Sequence, residues 1–87
     1  MQAIQILWVD DEVDLLKPHF LFLQARGYET YPCTNGREAL ALVKAQHFDV
    51  VLLDENMPGL NGLETLSLLK LEHPNLPVIM VTKNEEE

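Results

Sequence analysis

Residues 48–62 read FDVVLLDENMPGLNG, and this stretch decides the fold. Residues 48–53 form a strand whose second half is apolar at successive positions rather than at alternate ones. A strand with both faces apolar fits the centre of a parallel sheet with helices on both sides. It stops at Asp54. Residues 54–61 (DENMPGLN) then carry Pro58, Gly59 and Asn61, a loop composition. Beyond the loop, Leu63, Leu66 and Leu69 recur at helical spacing, with residues 70–72 continuing the helix. His73-Pro74 closes it, because the residue before a proline avoids helical geometry.

Working outward, the same alternation repeats. Residues 3–9 (AIQILWV) form a first strand that ends abruptly at Asp10-Asp11-Glu12. Val13, Leu15, Leu16, Phe20, Leu21 and Leu23 mark a helix over residues 13–26, and Gly27 stands at its C-cap position. Residues 28–33 (YETYPC) form a second strand. Asn35 caps a helix buried through Ala39, Leu40, Leu42 and Val43. Residues 77–82 (PVIMVT) are the fourth strand, and residues 83–87 a polar tail. The order βαβαβαβ predicts an α/β fold, a doubly wound parallel sheet. Pro18 leaves two options: a helix kinked near Lys17, or a short turn before a helix starting at Pro18. The apolar stripe runs across the proline, which favours the kink.

The chain has 87 residues, a hydrophobic share of 47% and a charged share of 23%, the mix of one globular domain over residues 1–87. Six basic against 14 acidic residues give a net charge of -8. Such a surface repels nucleic-acid phosphates and anionic membranes alike. No apolar run approaches the roughly 18 residues that span a bilayer. The N-terminus lacks the pattern of a secretory signal. A lone cysteine, Cys33, excludes an internal disulfide and fits a reducing interior, so a cytoplasmic location is expected.

Ligands of open α/β sheets bind beyond the carboxyl ends of the strands, where strand order reverses. In the order 2-1-3-4 the first and third strands are neighbours, which brings Asp10, Asp11 and Asp54 into one cleft. Clustered carboxylates repel one another unless a cation joins them. Mg²⁺, held by carboxylates, waters and a phosphate oxygen, fits best and makes the cleft suited to phosphoryl transfer. Acids after a strand also serve as a solvated turn at the positive end of a helix, and Asp10-Asp11 alone fits either reading.

These residues resemble the receiver domain of two-component response regulators. The resemblance rests on the acidic pair in ILWVDDE and on the loop in which Asp54, Met57, Pro58 and Gly62 stand as D-x-x-M-P-x-x-x-G. Thr82 at the end of the fourth strand adds to it, and the likeness runs from Ile4 to about Lys83. Within the family, LLKPH at residues 15–19 and DENMPG at residues 54–59 resemble regulators of the PorX type, linked to type IX secretion. The resemblance implies a flavodoxin-like (CheY-like) sheet in which Asp54 accepts a phosphoryl group from a histidine kinase or phosphotransfer protein. It implies that Asp11 coordinates Mg²⁺ directly and Asp10 through a water, with Asp54 and the backbone carbonyl of Asn56 completing the protein ligands. Thr82 would hydrogen-bond the phosphoryl oxygens and report phosphorylation by moving inward, switching an output domain. No enzymatic activity is implied beyond the domain's own phosphorylation and dephosphorylation.

The chain departs from the family pattern after Thr82. A fourth helix, a fifth strand with its phosphoryl-pairing lysine and a fifth helix are absent, so a domain cut short is expected. Lys83 does not occupy the position of that lysine. The uncovered face and apolar edge strand predict association between copies. Two other readings compete: a Mg²⁺-dependent phosphatase of the haloacid dehalogenase type, with Asp10 and Glu12 as its D-x-D pair, and a pseudo-receiver that only binds proteins. The first leaves the D-x-x-M-P loop unexplained, and the intact acids count against the second. A flavodoxin would need backbone donors and hydroxyls where this loop is acidic. His19, His47 and His73 show no metal-site spacing, Cys33 reads as a small buried hydrophobe, and Glu55 as a solvated loop acid.

Overall fold

The computed structural model describes residues 3–82. The elements run β1 (Ile4–Val9), a 3₁₀ turn (Val13–Leu16), α1 (Lys17–Ala25), β2 (Tyr28–Cys33), α2 (Gly36–Ala45), β3 (Val50–Asp54), α3 (Gly62–Glu72) and β4 (Val78–Val81). The four strands form one sheet in the order β2-β1-β3-β4, and every pairing is parallel. This is the doubly wound arrangement expected from the alternating pattern. Residues 83–87, including Lys83, lie outside the described residues.

Alternation along β1 and β3 sorts the side chains onto two faces. Leu7, Val9, Val51 and Leu53 are buried in one cluster with Ala39 of α2 and Leu69 of α3. Each large aliphatic removed from water there contributes roughly 1.5–3 kcal/mol. Trp8 points to the opposite face, where it packs against Phe20 of α1 at 5.4 Å between ring centroids. Among the described residues, two helices therefore cover one face and a single helix the other. Ile79, on the less covered side of β4, is 54% exposed.

Pro18 is accommodated without the kink. Residues 13–16 wind as a 3₁₀ turn and α1 begins at Lys17, which puts the proline in the first turn of the helix. Its missing N–H would have no partner inside the helix there, so no hydrogen bond is lost. The second option read from the sequence is the one realised. The third strand also starts later than residue 48. Phe48 turns into the core instead, 4% exposed and edge-on to Tyr31 at 5.4 Å.

Both helices on the two-helix side are capped by asparagine. Asn35 Oδ1 accepts the Glu38 N–H at 2.8 Å and starts α2. Asn61 Oδ1 accepts the Glu64 N–H at 2.9 Å, while Glu64 Oε1 accepts the Asn61 N–H at 3.0 Å. This reciprocal box satisfies two donors that the first turn of α3 would otherwise leave orphaned. It also fixes where the loop after β3 hands over to the helix.

Candidate metal centre and acceptor carboxylate

Asp10 follows the last residue of β1 and Asp54 is the last residue of β3. Because β1 and β3 are paired neighbours, their carboxyl ends open onto the same rim of the sheet. Asp10 is 0% and Asp54 2% exposed, whereas Asp11 faces solvent. One carboxylate oxygen from each of Asp10, Asp11 and Asp54 falls within 4.8 Å of the other two. It is the one group of three potential ligands gathered in this way among the described residues. The structure thus brings together the three acids that the sequence pointed to.

The main chain holds the two buried acids by the same device. Asp10 Oδ1 accepts the Glu12 N–H at 2.8 Å, and Asp54 Oδ1 accepts the Asn56 N–H at 3.2 Å. Each is an Asx-type turn, in which the carboxylate takes the backbone donor two residues on. The Asp10 backbone is anchored in turn by its own N–H, which donates to the Cys33 carbonyl at the end of β2 at 2.8 Å. The Asp54 side is anchored by the Glu55 N–H donating to Val81 O and the Gly62 N–H donating to Glu55 O, both at 3.1 Å. Gly62 is required here: a Cβ would run into the Asp54 carbonyl and stand 2.7 Å from Glu55 Cα. The backbone donors of Glu12 and Asn56 were not read from the sequence, because any residue type but proline supplies an N–H.

Asn56 itself is exposed on the loop after Asp54. Thr82 is exposed and follows Val81, the register partner of Asp54 in β4. It therefore sits on the same rim as the acids, one residue past that pairing. Three carboxylates suit a hard divalent cation better than a soft metal, which would call for thiolate or imidazole. Their mutual repulsion is what such an ion relieves.

The remaining chemistry-bearing residues are not members of the acid group. Cys33 is 1% exposed, and its thiol is pushed up to about 11, mainly by burial, which makes it a poor nucleophile. His19 stacks on Trp8, with centroids 6.1 Å apart, and His47 contacts Asp49 at 3.0 Å. His73 ends α3 as its C-cap residue. Beside the acids, Trp8, Asp10, Leu16, His19, Phe22, Leu23 and Val81 line a groove of about 390 Å³. No described helix is long and apolar enough to cross a membrane.

Comparison with known proteins agrees with this architecture. Residues 6–87 match the response regulator receiver domain family. The regulatory protein AtoC of Escherichia coli is 37% identical over 87 residues, which is 99% of this chain but 19% of AtoC. The chain thus spans about a fifth of that relative's length. The response regulator TrrA of Thermotoga maritima, in a crystal structure in complex with Mg(2+)-BeF, superposes with a TM-score of 0.87 at 34% identity. That likeness covers 95% of this chain and 72% of TrrA. A second structure, of TrrA in complex with the histidine kinase ThkA, gives a TM-score of 0.87 at 33% identity over 97% of this chain and 72% of that one. With a family match across nearly its whole length and these superpositions, the chain belongs to the response regulator receiver domain family.

Proposed function

We propose that Asp54 is the phosphoacceptor of this receiver domain, taking a phosphoryl group from a phosphohistidine on a sensor histidine kinase or a phosphotransfer protein. The observation that carries the proposal is the convergence of buried Asp54 with Asp10 and Asp11 at one rim of the sheet. In the reaction an Asp54 carboxylate oxygen attacks phosphorus as the P–N bond to the donor imidazole breaks. The imidazole nitrogen leaves with the bond pair and takes up a proton, and an aspartyl phosphate remains. The Asn56 N–H orients the acceptor by fixing Oδ1, and Asx turns keep both buried carboxylates in place as charge builds. Thr82, one residue past β4, supplies a hydroxyl donor to the transferred group and is the residue that senses it.

Asp11, Asp10, Asp54 and the Asn56 carbonyl are the groups that would hold Mg²⁺, Asp10 through a water. When bound, the ion neutralises charge on the transferred phosphoryl oxygens. TrrA, a relative of this fold, is known in complex with Mg(2+)-BeF, which supports the choice of ion. TrrA in complex with a histidine kinase supports the choice of donor class. The phosphorylated state would act on an output domain, as befits the greater length of AtoC. Catalysis by this chain is confined to gaining and losing its own phosphoryl group, and its location is the cytoplasm, where such kinases present their phosphohistidine.

Incubation with acetyl phosphate and Mg²⁺ tests the reading. Intact-mass measurement should show one added phosphoryl group, lost in Asp54→Asn and in samples stripped of Mg²⁺ by chelation. Equal labelling of Asp54→Asn would contradict it. Multiple turnovers on a phosphate ester that need Asp10 but not Asp54 would favour the phosphatase reading instead.

A further inference from the structure

The first turn of α3 is confined on two sides. On one side Gly62 lies against the backbone of Asp54 and Glu55, with no room for a Cβ. On the other side is the first turn of α2. A Cβ at Gly36 would overlap Thr65 Oγ1 and stand 3.2 Å from both Leu60 Cδ2 and Leu60 O. Thr65 is 0% exposed, and its hydroxyl donates to Asn61 O at 2.8 Å. Rotating the hydroxyl away would strand a buried polar group, so its position is fixed. Gly62 and Thr65 are three residues apart and lie on one face of α3. That face therefore spaces α2 from the acceptor backbone.

The other end of this junction leads back to Asp10. Gly36 follows Asn35, whose carbonyl accepts the Cys33 thiol at 3.2 Å, and the Cys33 carbonyl accepts the Asp10 N–H at 2.8 Å. Asp10 and Asp54 are thus linked twice. One link is the direct β1–β3 ladder, and the other runs round the carboxyl ends of β2, α2 and α3. Anything that pries α2 from α3 must displace either the loop carrying Asp54 or the segment anchoring Asp10. Ligand constellations tolerate displacements of only about half an ångström.

We infer that Gly36 and Thr65 are positioning residues, whose contact sets the placement of Asp54 relative to Asp10 for Mg²⁺ binding and phosphoryl acceptance. The inference rests on the proposed function of the acid cluster. Neither residue touches the reacting groups. They act through Asn61, Gly62 and the segment from Cys33 to Gly36. Sequence separation hides the pair, since residues 36 and 65 share no motif and belong to different helices.

The test is a Mg²⁺ titration of the full chain, followed by the amide NMR shifts of residues 10 and 54, with the acetyl phosphate labelling rate measured in parallel. Gly36→Ala should weaken Mg²⁺ by roughly tenfold or more, the scale seen when groups supporting metal ligands are removed. Combining it with Thr65→Ala frees the space for the new methyl but also removes the hydroxyl, so the double variant should bind no worse than Gly36→Ala and recover no further than Thr65→Ala alone. Thr65→Ser keeps the hydroxyl and should bind as wild type, whereas Thr65→Val loses it and should weaken binding. The serine–valine pair decides the matter if Gly36→Ala does not fold. Wild-type affinity in folded Gly36→Ala, or in Thr65→Val, would overturn the inference, as would a double variant weaker than Gly36→Ala. Mg²⁺ binding without labelling of Asp54 in wild type would overturn the acceptor reading while the positioning result stands. Labelling of wild type with no affinity change in the variants would do the reverse, and a wild-type chain with no Mg²⁺ response would remove both.

Discussion

At the scale of single residues, carboxylates do two different jobs. Asp10, Asp11 and Asp54 gather at the carboxyl ends of the strands, while Asp49 works at the opposite end of the sheet. Its Oδ2 accepts the Gln5 N–H at 2.7 Å, and His47 lies 3.0 Å from its Oδ1. Chiefly the Gln5 hydrogen bond, and then His47, hold the Asp49 carboxyl below its ordinary 3.8. A carboxyl lowered on folding stabilises the fold above its unfolded value, and that stability is lost as pH falls through the folded value. The Tm of wild type should therefore drop more steeply than that of Asp49→Asn as the pH is taken below 3.8. Parallel acid limbs in thermal melts would refute the role. The gathering of Asp10, Asp11 and Asp54 was legible in sequence because acids ending two strands are a pattern of residue types. The Asx-turn donors from Glu12 and Asn56 were not, because backbone N–H groups have no letter of their own.

Among the elements, α3 bears most directly on the site. Its capping box on Asn61 sets the helix start at Gly62, and Gly62 meets the Asp54 carbonyl. Asn61→Ala should cost about 1 kcal/mol in denaturant unfolding, as loss of an N-cap does. It should also slow acetyl phosphate labelling, since the loop from Asp54 ends at that cap. A variant with the full stability loss and an unchanged labelling rate would detach the cap from the site. The order of strands and helices was readable from apolar periodicity, and the Asn35 cap and the stop at His73-Pro74 from the chemistry of those residues. The region around Pro18 was not resolved by the same reasoning. An apolar stripe runs equally well across a kinked α-helix and across a 3₁₀ turn followed by a helix. Only the cost of a lost hydrogen bond separates the two, and the structure takes the option that avoids it.

Taken as a whole, the molecule covers its sheet unevenly. Among the described residues, α2 and α3 bury one face and α1 alone lies on the other, with Ile79 and Phe22 more than half exposed. Among the described residues, β4 stands at the edge of the sheet, and its strand Val78–Val81 carries no charged residue or proline. The folded chain should enhance the fluorescence of an apolar dye such as anilinonaphthalene sulfonate, and Ile79→Glu should reduce that signal. The same surface carries the expected association between copies. Light scattering that reports a single-chain mass at high concentration would remove that expectation.

Phosphorylation at Asp54 is most directly tested by trapping the acyl phosphate chemically. After acetyl phosphate and Mg²⁺, borohydride reduces an aspartyl phosphate to homoserine, which peptide mass spectrometry locates by residue. Conversion should occur at position 54 and nowhere else, and should vanish when Mg²⁺ is withheld. Homoserine at position 10, with Asp54 untouched, would contradict the assignment and make Asp10 the nucleophile.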